Sequence, residues 1–123
     1  MDAEKLKKRT KDFSLEIIGL YKVLPKTAVG EILGKQPLRS TTSVAANYRA
    51  ACRARSAGEF SSKLQIVIEE SDECLFWLKL LGESGLLPKE RLQNLMHEAD
   101  NLTAIFVASP KTVNANRQHR EKP

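Results

Sequence analysis

The sequence predicts an all-α protein, folded as an antiparallel up-down-up-down four-helix bundle. In four segments the apolar residues recur at steps of three and four, which places them on one helix face. Proline, glycine and capping residues fall mostly between these segments and set short connections, which force consecutive helices to run antiparallel. A chain of 123 residues is long enough for a single buried core.

The first helix is predicted over residues 3–24. Pro25 ends it, because the residue before a proline avoids the helical region of backbone conformation. Thr27 then suits the N-cap of the second helix. The apolar row of the first helix is formed by Leu6, Phe13, Ile17, Leu20, Tyr21 and Leu24.

The second helix is predicted to be kinked or broken near Pro37. A proline inside a helix costs about 3 kcal/mol unless it lies in the first turn. We therefore expect a short helical piece near 28–35, a kink or break at Gln36-Pro37, and a firm helix over 38–54. A single kinked helix is the alternative.

The third helix is predicted over residues 57–83. Ser56 and Glu59 form a capping box, in which the hydroxyl accepts from the N–H three residues on and the carboxylate reaches back to the Ser N–H. Pro88 suits the first position of a fourth helix that runs to about Ala108. The bundle would then occupy residues 1–109, and the polar, non-periodic residues 110–123 are expected to form a disordered basic tail.

The positive charges concentrate at the ends of the chain and at the central turn. The net charge is +5, and the tail has four basic residues against one acidic residue. In an up-down bundle the start of helix one and the turn between helices two and three lie at the same pole, so we predict a surface for RNA or DNA there. Clusters without aromatic residues predict electrostatic, sequence-tolerant binding; the alternative is that the charge only aids solubility. The predicted contacts are Lys5, Lys7, Lys8, Arg9, Lys11, Arg49, Arg53 and Arg55.

A polar seam is predicted between the second and third helices. Residues 35–55 carry only basic charges, whereas residues 69–73 carry four acids. Folding about Ser56 brings Arg39 near Glu73, which would fix the register if the seam members hydrogen-bond to one another. The alternative is a pair of solvated faces of opposite charge. The members of the seam are Arg39, Ser43, Asn47, Glu69 and Glu73.

Catalytic and metal-binding patterns are missing from the sequence. Neither His97 nor His119 has a helical partner that would complete a zinc or di-iron set. Cys52 and Cys74 have apolar neighbours and are interpreted as core residues. We therefore expect a non-enzymatic protein without cofactor, metal or small-molecule substrate. The charged N-terminus and the lack of a run of ~20 apolar residues predict a cytoplasmic protein without membrane contact.

Phe76 and Trp77 are adjacent on the third helix and cannot share one face. At least one of them must point away from the centre of the bundle. Aromatic residues are enriched at subunit interfaces, so we predict that this pair anchors one. The alternative is a boundary position half covered by a neighbouring helix.

Residues 10–108 resemble the bacterial four-helix-bundle family, also called the rRNA intervening-sequence-encoded proteins. The resemblance is most specific from Arg39 to Phe60, through Arg39-Ser40, Asn47 and Arg53-x-Arg55-Ser56-x-x-Glu59-Phe60, and continues in Trp77-Leu78-x-Leu80-Leu81. Where the family most often has Asn-Ile-Ala-Glu-Gly, this chain has Asn-Tyr-Arg-Ala-Ala over 47–51. The resemblance implies closed rings, often pentamers.

These observations predict an oligomeric binding or assembly module, in a homo-oligomer that the resemblance makes a pentamer. Its basic surface would engage nucleic acid or a protein that handles nucleic acid. The alternative function is a purely structural protein–protein interaction bundle.

Overall fold

The computed structural model describes residues 2–109, and within that range the chain forms four α-helices and no strand. Helix α1 spans Ala3–Val23, α2 spans Ala28–Cys52, α3 spans Ala57–Glu83 and α4 spans Lys89–Val107. Each helix packs against the next one in the chain. The predicted all-α four-helix bundle is confirmed, and the expected tail over 110–123 lies outside the described residues.

Three helices begin at a side-chain cap. The Asp2 carboxylate accepts a hydrogen bond from the N–H of Lys5 at 2.8 Å, a cap that sequence reasoning had not assigned. The Thr27 and Ser56 hydroxyls accept at 3.1 Å from the N–H groups of Gly30 and Glu59. Each cap satisfies one backbone donor that the first helical turn leaves without a partner. The capping box predicted that the Glu59 carboxylate would accept from the N–H of Ser56. The carboxylate instead accepts from the N–H of Arg55, one residue earlier, at 3.4 Å.

Helix α2 continues through Pro37, so the expected break at Gln36-Pro37 is wrong. Pro37 has no N–H and leaves the carbonyl of Leu33 without its helical donor. Its ring, however, is almost completely buried, on a helix that packs on both α1 and α3. Burial of the ring and contacts on two sides offset the lost hydrogen bond. A bend at this point stays a prediction.

The buried face of α2 is built mainly from small residues. A Cβ on Gly34 would come within 2.5 Å of the Leu24 side chain, and a Cβ on Gly30 would fall inside contact distance of the Pro25 carbonyl oxygen. The Ser14 hydroxyl lies 3.2 Å from the carbonyl oxygen of Thr41, so α1 and α2 approach closely along this face. Small side chains are what permit that approach.

The core combines large apolar residues from all four helices with a few satisfied polar groups. The Ser71 hydroxyl lies 2.7 Å from the Thr103 hydroxyl and 3.3 Å from the carbonyl of Ala99. In the described range no buried side-chain nitrogen or oxygen lacks a hydrogen-bond partner. Polar groups of this kind are tolerated in a core only when they are paired. The most deeply buried large side chains include Ile17, Leu64, Val67, Leu78, Leu81, Leu92, Leu102 and Phe106.

The close approach at Gly30 predicts a large difference between two glycine substitutions. Gly30→Ala should destabilise the protein by about 1–3 kcal/mol, because the new methyl group meets the backbone of Pro25. Gly19→Ala is the matched control: Gly19 lies on the exposed side of α1 with open space around it. That change should raise stability by up to about 1 kcal/mol through helix propensity. Urea denaturation of both variants checks this, and equal stabilities would contradict it.

Candidate nucleic-acid interface

The start of α1, the end of α2 and the start of α3 lie at the same pole of the bundle. Along the α1–α2 contact, Ser14 meets Thr41 and Tyr21 meets Glu31, so the two helices run in opposite directions. Near the end of α2, the ring of Tyr48 lies 5.3 Å from that of Phe106, near the end of α4. This end of the molecule is called the basic pole below, for the six residues Lys7, Lys8, Lys11, Arg49, Arg53 and Arg55.

Two adjoining clefts connect these six residues. The first lies between α1 and α2, has a volume of about 530 Å³ and is lined by the cations Lys7, Lys8, Lys11 and Arg49 and by the acid Glu4. The second, of about 440 Å³, is lined by the cations Arg49, Arg53 and Arg55 and by the acid Glu59. Since Arg49 and Ala46 line both clefts, the two linings join along the outer side of α2, with six cations against two acids. The structure therefore brings together six of the eight residues that the sequence predicted to bind nucleic acid.

The cations of the basic pole differ in how they are paired. Lys7 contacts Glu4 and Lys8 contacts Asp12, each at 2.7 Å, within α1. Such pairs on an exposed helix surface contribute only about 0.3–0.5 kcal/mol, so an anionic ligand displaces them readily. Within residues 2–109 the side chains of Lys11, Arg49 and Arg53 have no ion-pair or hydrogen-bond partner. The Arg55 side chain has none in this range either, although its backbone N–H donates to Glu59, so these four are the cations most available to a ligand.

Arg9 and Lys5 lie on another side of α1, where it faces α4. Both line a shallow cleft beside Glu98. Arg9 binds Glu98 with two hydrogen bonds, Nε to Oε2 at 2.8 Å and Nη2 to Oε1 at 2.6 Å, and both side chains are only 26% exposed. The hydrogen bond to Glu98 raises the pKa of Arg9. Arg9 thus connects α1 to α4, and its charge is compensated there.

Arg39 joins α2 to α3 at the place the sequence predicted. It lies 2.9 Å from Glu73 and also 2.8 Å from Glu70, a partner that sequence reasoning missed. The Arg39 side chain is 54% exposed, so this contact lies on the surface of the bundle. At the other predicted seam positions, the hydrogen bonds join residues of the same helix. Asn47 donates to Ser43 within α2, and Gln65 donates to Glu69 within α3.

Trp77 is half-buried beside the Arg39 contact, whereas its neighbour Phe76 is 56% exposed. The Trp77 indole N–H donates to the Glu73 carboxylate at 3.1 Å. This hydrogen bond, with the contribution of Arg39, lowers the pKa of Glu73. The rings of Phe76 and Trp77 pack edge to face, with their centroids 4.9 Å apart.

Several of the exposed apolar residues lie toward the end of the bundle opposite the basic pole, while others, such as Leu15, Ile66 and Val107, lie elsewhere. Val29 and Ile32 on α2 are both more than half exposed, like Phe76 on α3. The contact between Arg39 and Glu73 sets an antiparallel register that brings Ile32 level with Leu80, about one helical turn from Phe76. The three exposed residues Val29, Ile32 and Phe76 are called the apolar end below.

Two features of residues 2–109 bear on metal binding and on thiol chemistry. Between residues 2 and 109, no group of three or more His, Cys, Asp or Glu side chains is placed to hold a metal ion. Burial raises the pKa of the Cys74 thiol to about 11, and its sulfur lies 3.4 Å from the Thr41 hydroxyl. A thiol in that state is a poor nucleophile at neutral pH. None of the four helices is long and apolar enough to cross a membrane.

Comparison with known proteins agrees with the fold. The model of the 23S rRNA-intervening sequence protein family matches residues 4–108. The chain belongs to this family. A crystal structure from Bacteroides thetaiotaomicron, of a protein of unknown function in the S23 ribosomal protein family, is similar at 30% identity with a TM-score of 0.78. The match covers 84% of this chain and 95% of that one. Among curated proteins no relative matches.

The bond between Trp77 and Glu73 predicts a fluorescence titration. Trp77 is the only tryptophan, so its emission reports on the neighbouring carboxylate. Because the folded pKa of Glu73 is below its ordinary value of 4.5, the emission should change with a midpoint below 4.5. The stability that Glu73 contributes is fully present above its unfolded pKa and is lost as pH falls through the folded pKa.

Glu73→Gln should abolish this titration and reduce the drop in melting temperature between about pH 6 and about pH 3. Glu69→Gln is the matched control, since Glu69 is exposed and its recorded partner is Gln65. An emission that titrates identically in the native protein and in the Glu73→Gln variant would contradict the assignment.

Proposed function

We propose that this family member is a non-enzymatic assembly module whose basic pole binds nucleic acid. The observation that carries the proposal is the shared lining of the two clefts at that pole, in which six cations stand against the two acids Glu4 and Glu59. It contains cations from α1, α2 and the α2–α3 turn, and Lys11, Arg49 and Arg53 have no partner within residues 2–109. A polyanion would supply the missing counter-charges.

The physical basis of binding would be phosphate neutralisation. Each phosphate contact with Lys or Arg releases condensed counterions, so affinity falls steeply with salt. None of the described residues that line the two clefts is aromatic, so base stacking would contribute little. Binding should therefore tolerate different sequences. The names of the family and of the structural neighbour, which refer to 23S rRNA and to a ribosomal protein, support RNA as the first ligand to test.

Assembly would multiply the basic pole. The apolar end exposes Val29, Ile32 and Phe76 to solvent, and large exposed apolar residues are a common feature of protein interfaces. A ring uses a head-to-tail interface repeated around an axis, and each subunit would present the same basic pole. Several weak phosphate-binding sites in one particle then act together, which raises the overall affinity. The family resemblance makes the pentamer the expected ring.

A purely structural interaction bundle is the second candidate. The apolar end favours it independently of charge, because those three residues lie away from the basic pole and would serve a protein partner equally well. The two candidates differ in one respect, which is whether nucleic acid binds at all.

Neutralising the basic pole should remove nucleic-acid binding. A variant with Lys11, Arg49, Arg53 and Arg55 changed to Gln should lose at least about tenfold in affinity for RNA at low salt, and the slope of log affinity against log salt should fall by up to about 3. The matched control changes four cations near the opposite pole to Gln: Lys22, Lys26, Lys35 and Lys79. It removes the same charge and should bind almost as the native protein does.

Filter binding with single- and double-stranded RNA and DNA measures both effects. If the intact protein retains none of these at low salt, the structural candidate replaces the proposal. If the control variant loses as much affinity as the first variant, net charge and not the basic pole accounts for binding.

A polar residue at the apolar end should disrupt the oligomer. We expect the native protein to have several times the 13.8 kDa mass of one chain in light scattering at micromolar concentration, and Phe76→Ser to move it toward 13.8 kDa. Leu15→Ser is the matched control, since Leu15 on α1 is 56% exposed, as Phe76 is. A native mass near 13.8 kDa would refute assembly, and dissociation by Leu15→Ser alone would place the interface on α1.

A further inference from the structure

The cleft between α1 and α2 is a groove between two packed helices. Its small lining residues, called its floor below, are Thr42, Ala45 and Ala46 of α2 and Ser14 of α1, and the acid Glu4 of α1 also lines the cleft. The two helices are in contact here, so the cleft is the groove between their outer surfaces, and its width is bounded by the roughly 8–10 Å that separates the axes of packed helices. A single strand can follow such a groove along its length. A duplex is a broader cylinder and would contact the groove only where its own backbone crosses it.

Both helices that border the cleft contribute cations. Lys7 and Lys11 belong to α1, and Arg49 belongs to α2. A strand that lies between the helices would therefore have cations on either side of its phosphates. The alanine floor leaves room for the sugar–phosphate chain to approach the backbone of α2.

The hydroxyl of Thr42 adds a distinction between RNA and DNA. Its Oγ1 lies 2.8 Å from the carbonyl oxygen of Leu38 and 3.1 Å from that of Arg39, both of which only accept. A hydroxyl has one hydrogen, and here that hydrogen is used within the helix. The exposed oxygen can then only accept a hydrogen bond. A phosphate offers no donor at neutral pH, and neither does deoxyribose, whereas the ribose 2′-hydroxyl does.

We infer that the α1–α2 cleft holds single-stranded RNA, with phosphates between the lysines of α1 and Arg49, and with a ribose 2′-hydroxyl donating to Thr42 Oγ1. This inference rests on the proposed function and specifies its ligand. It assigns affinity to the cations and the choice of sugar to one hydroxyl. The bases face away from the floor, which agrees with sequence-tolerant binding.

Four probes of one sequence and length test the inference with the full chain: single-stranded RNA, its 2′-O-methyl form, single-stranded DNA and double-stranded RNA. Single-stranded RNA should bind about threefold to tenfold more tightly than the other single strands, the range expected for one neutral hydrogen bond. The duplex should bind more weakly than the RNA strand.

Two substitutions at Thr42 isolate the hydroxyl. Thr42→Val keeps the shape and removes the acceptor, so RNA affinity should fall to that of DNA while DNA affinity stays unchanged. Thr42→Ser keeps the acceptor and should keep the preference. Circular dichroism checks that both variants are folded, as expected for an exposed position.

The outcomes separate this inference from the proposed function on which it rests. Equal binding of RNA and DNA strands by the native protein, tighter binding of the duplex, or an RNA preference that survives Thr42→Val would overturn this inference and leave the proposed function intact. A failure of all four probes to bind would overturn both.

Discussion

The structure depends on how closely α2 packs against α1. A Cβ at Gly30 would meet the Pro25 backbone in the α1–α2 connection, a Cβ at Gly34 would displace the Leu24 side chain, and the hydroxyl of Ser14 contacts the backbone of Thr41. This packing, together with the contact with α3, holds α2 as one helix through Pro37. Because α2 is continuous, its last turns lie beside the start of α1, and Arg49 meets the lysines of α1 around one cleft. The arrangement of charge at the basic pole thus follows from backbone packing some distance away.

Charge has two different roles in the bundle. Arg9 and Arg39 connect helices, since each contacts carboxylates on the neighbouring α4 or α3. Arg49 and Arg53 have no such partner among residues 2–109. An unpaired surface cation contributes nothing specific to stability, and the like charges around the clefts repel one another. Under the proposed function, their concentration at one pole forms the binding surface and is not part of the framework that holds the fold together.

Local features could be predicted from the sequence, whereas contacts between distant residues mostly could not. The caps at Thr27 and Ser56 and the bounds of α3 follow from residues within a few positions, and the contact between Arg39 and Glu73 follows from the short α2–α3 turn. The bond between Arg9 and Glu98 joins helices that are far apart in sequence, and no local pattern marks it. The expected break at Pro37 failed because tertiary packing outweighed local backbone preference. Ser43 and Asn47 lie on one face of α2, where the Asn47 side chain donates to Ser43 of the same helix.

The central claim is that the basic pole is the surface that meets nucleic acid. Lysine modification followed by mass spectrometry tests it most directly, because lysines are present at both poles of the native protein. With single-stranded RNA bound at low salt, Lys7, Lys8 and Lys11 should become protected, while Lys22, Lys26 and Lys35 should react as they do without RNA. Equal protection of both groups, or protection of the second group alone, would contradict the account.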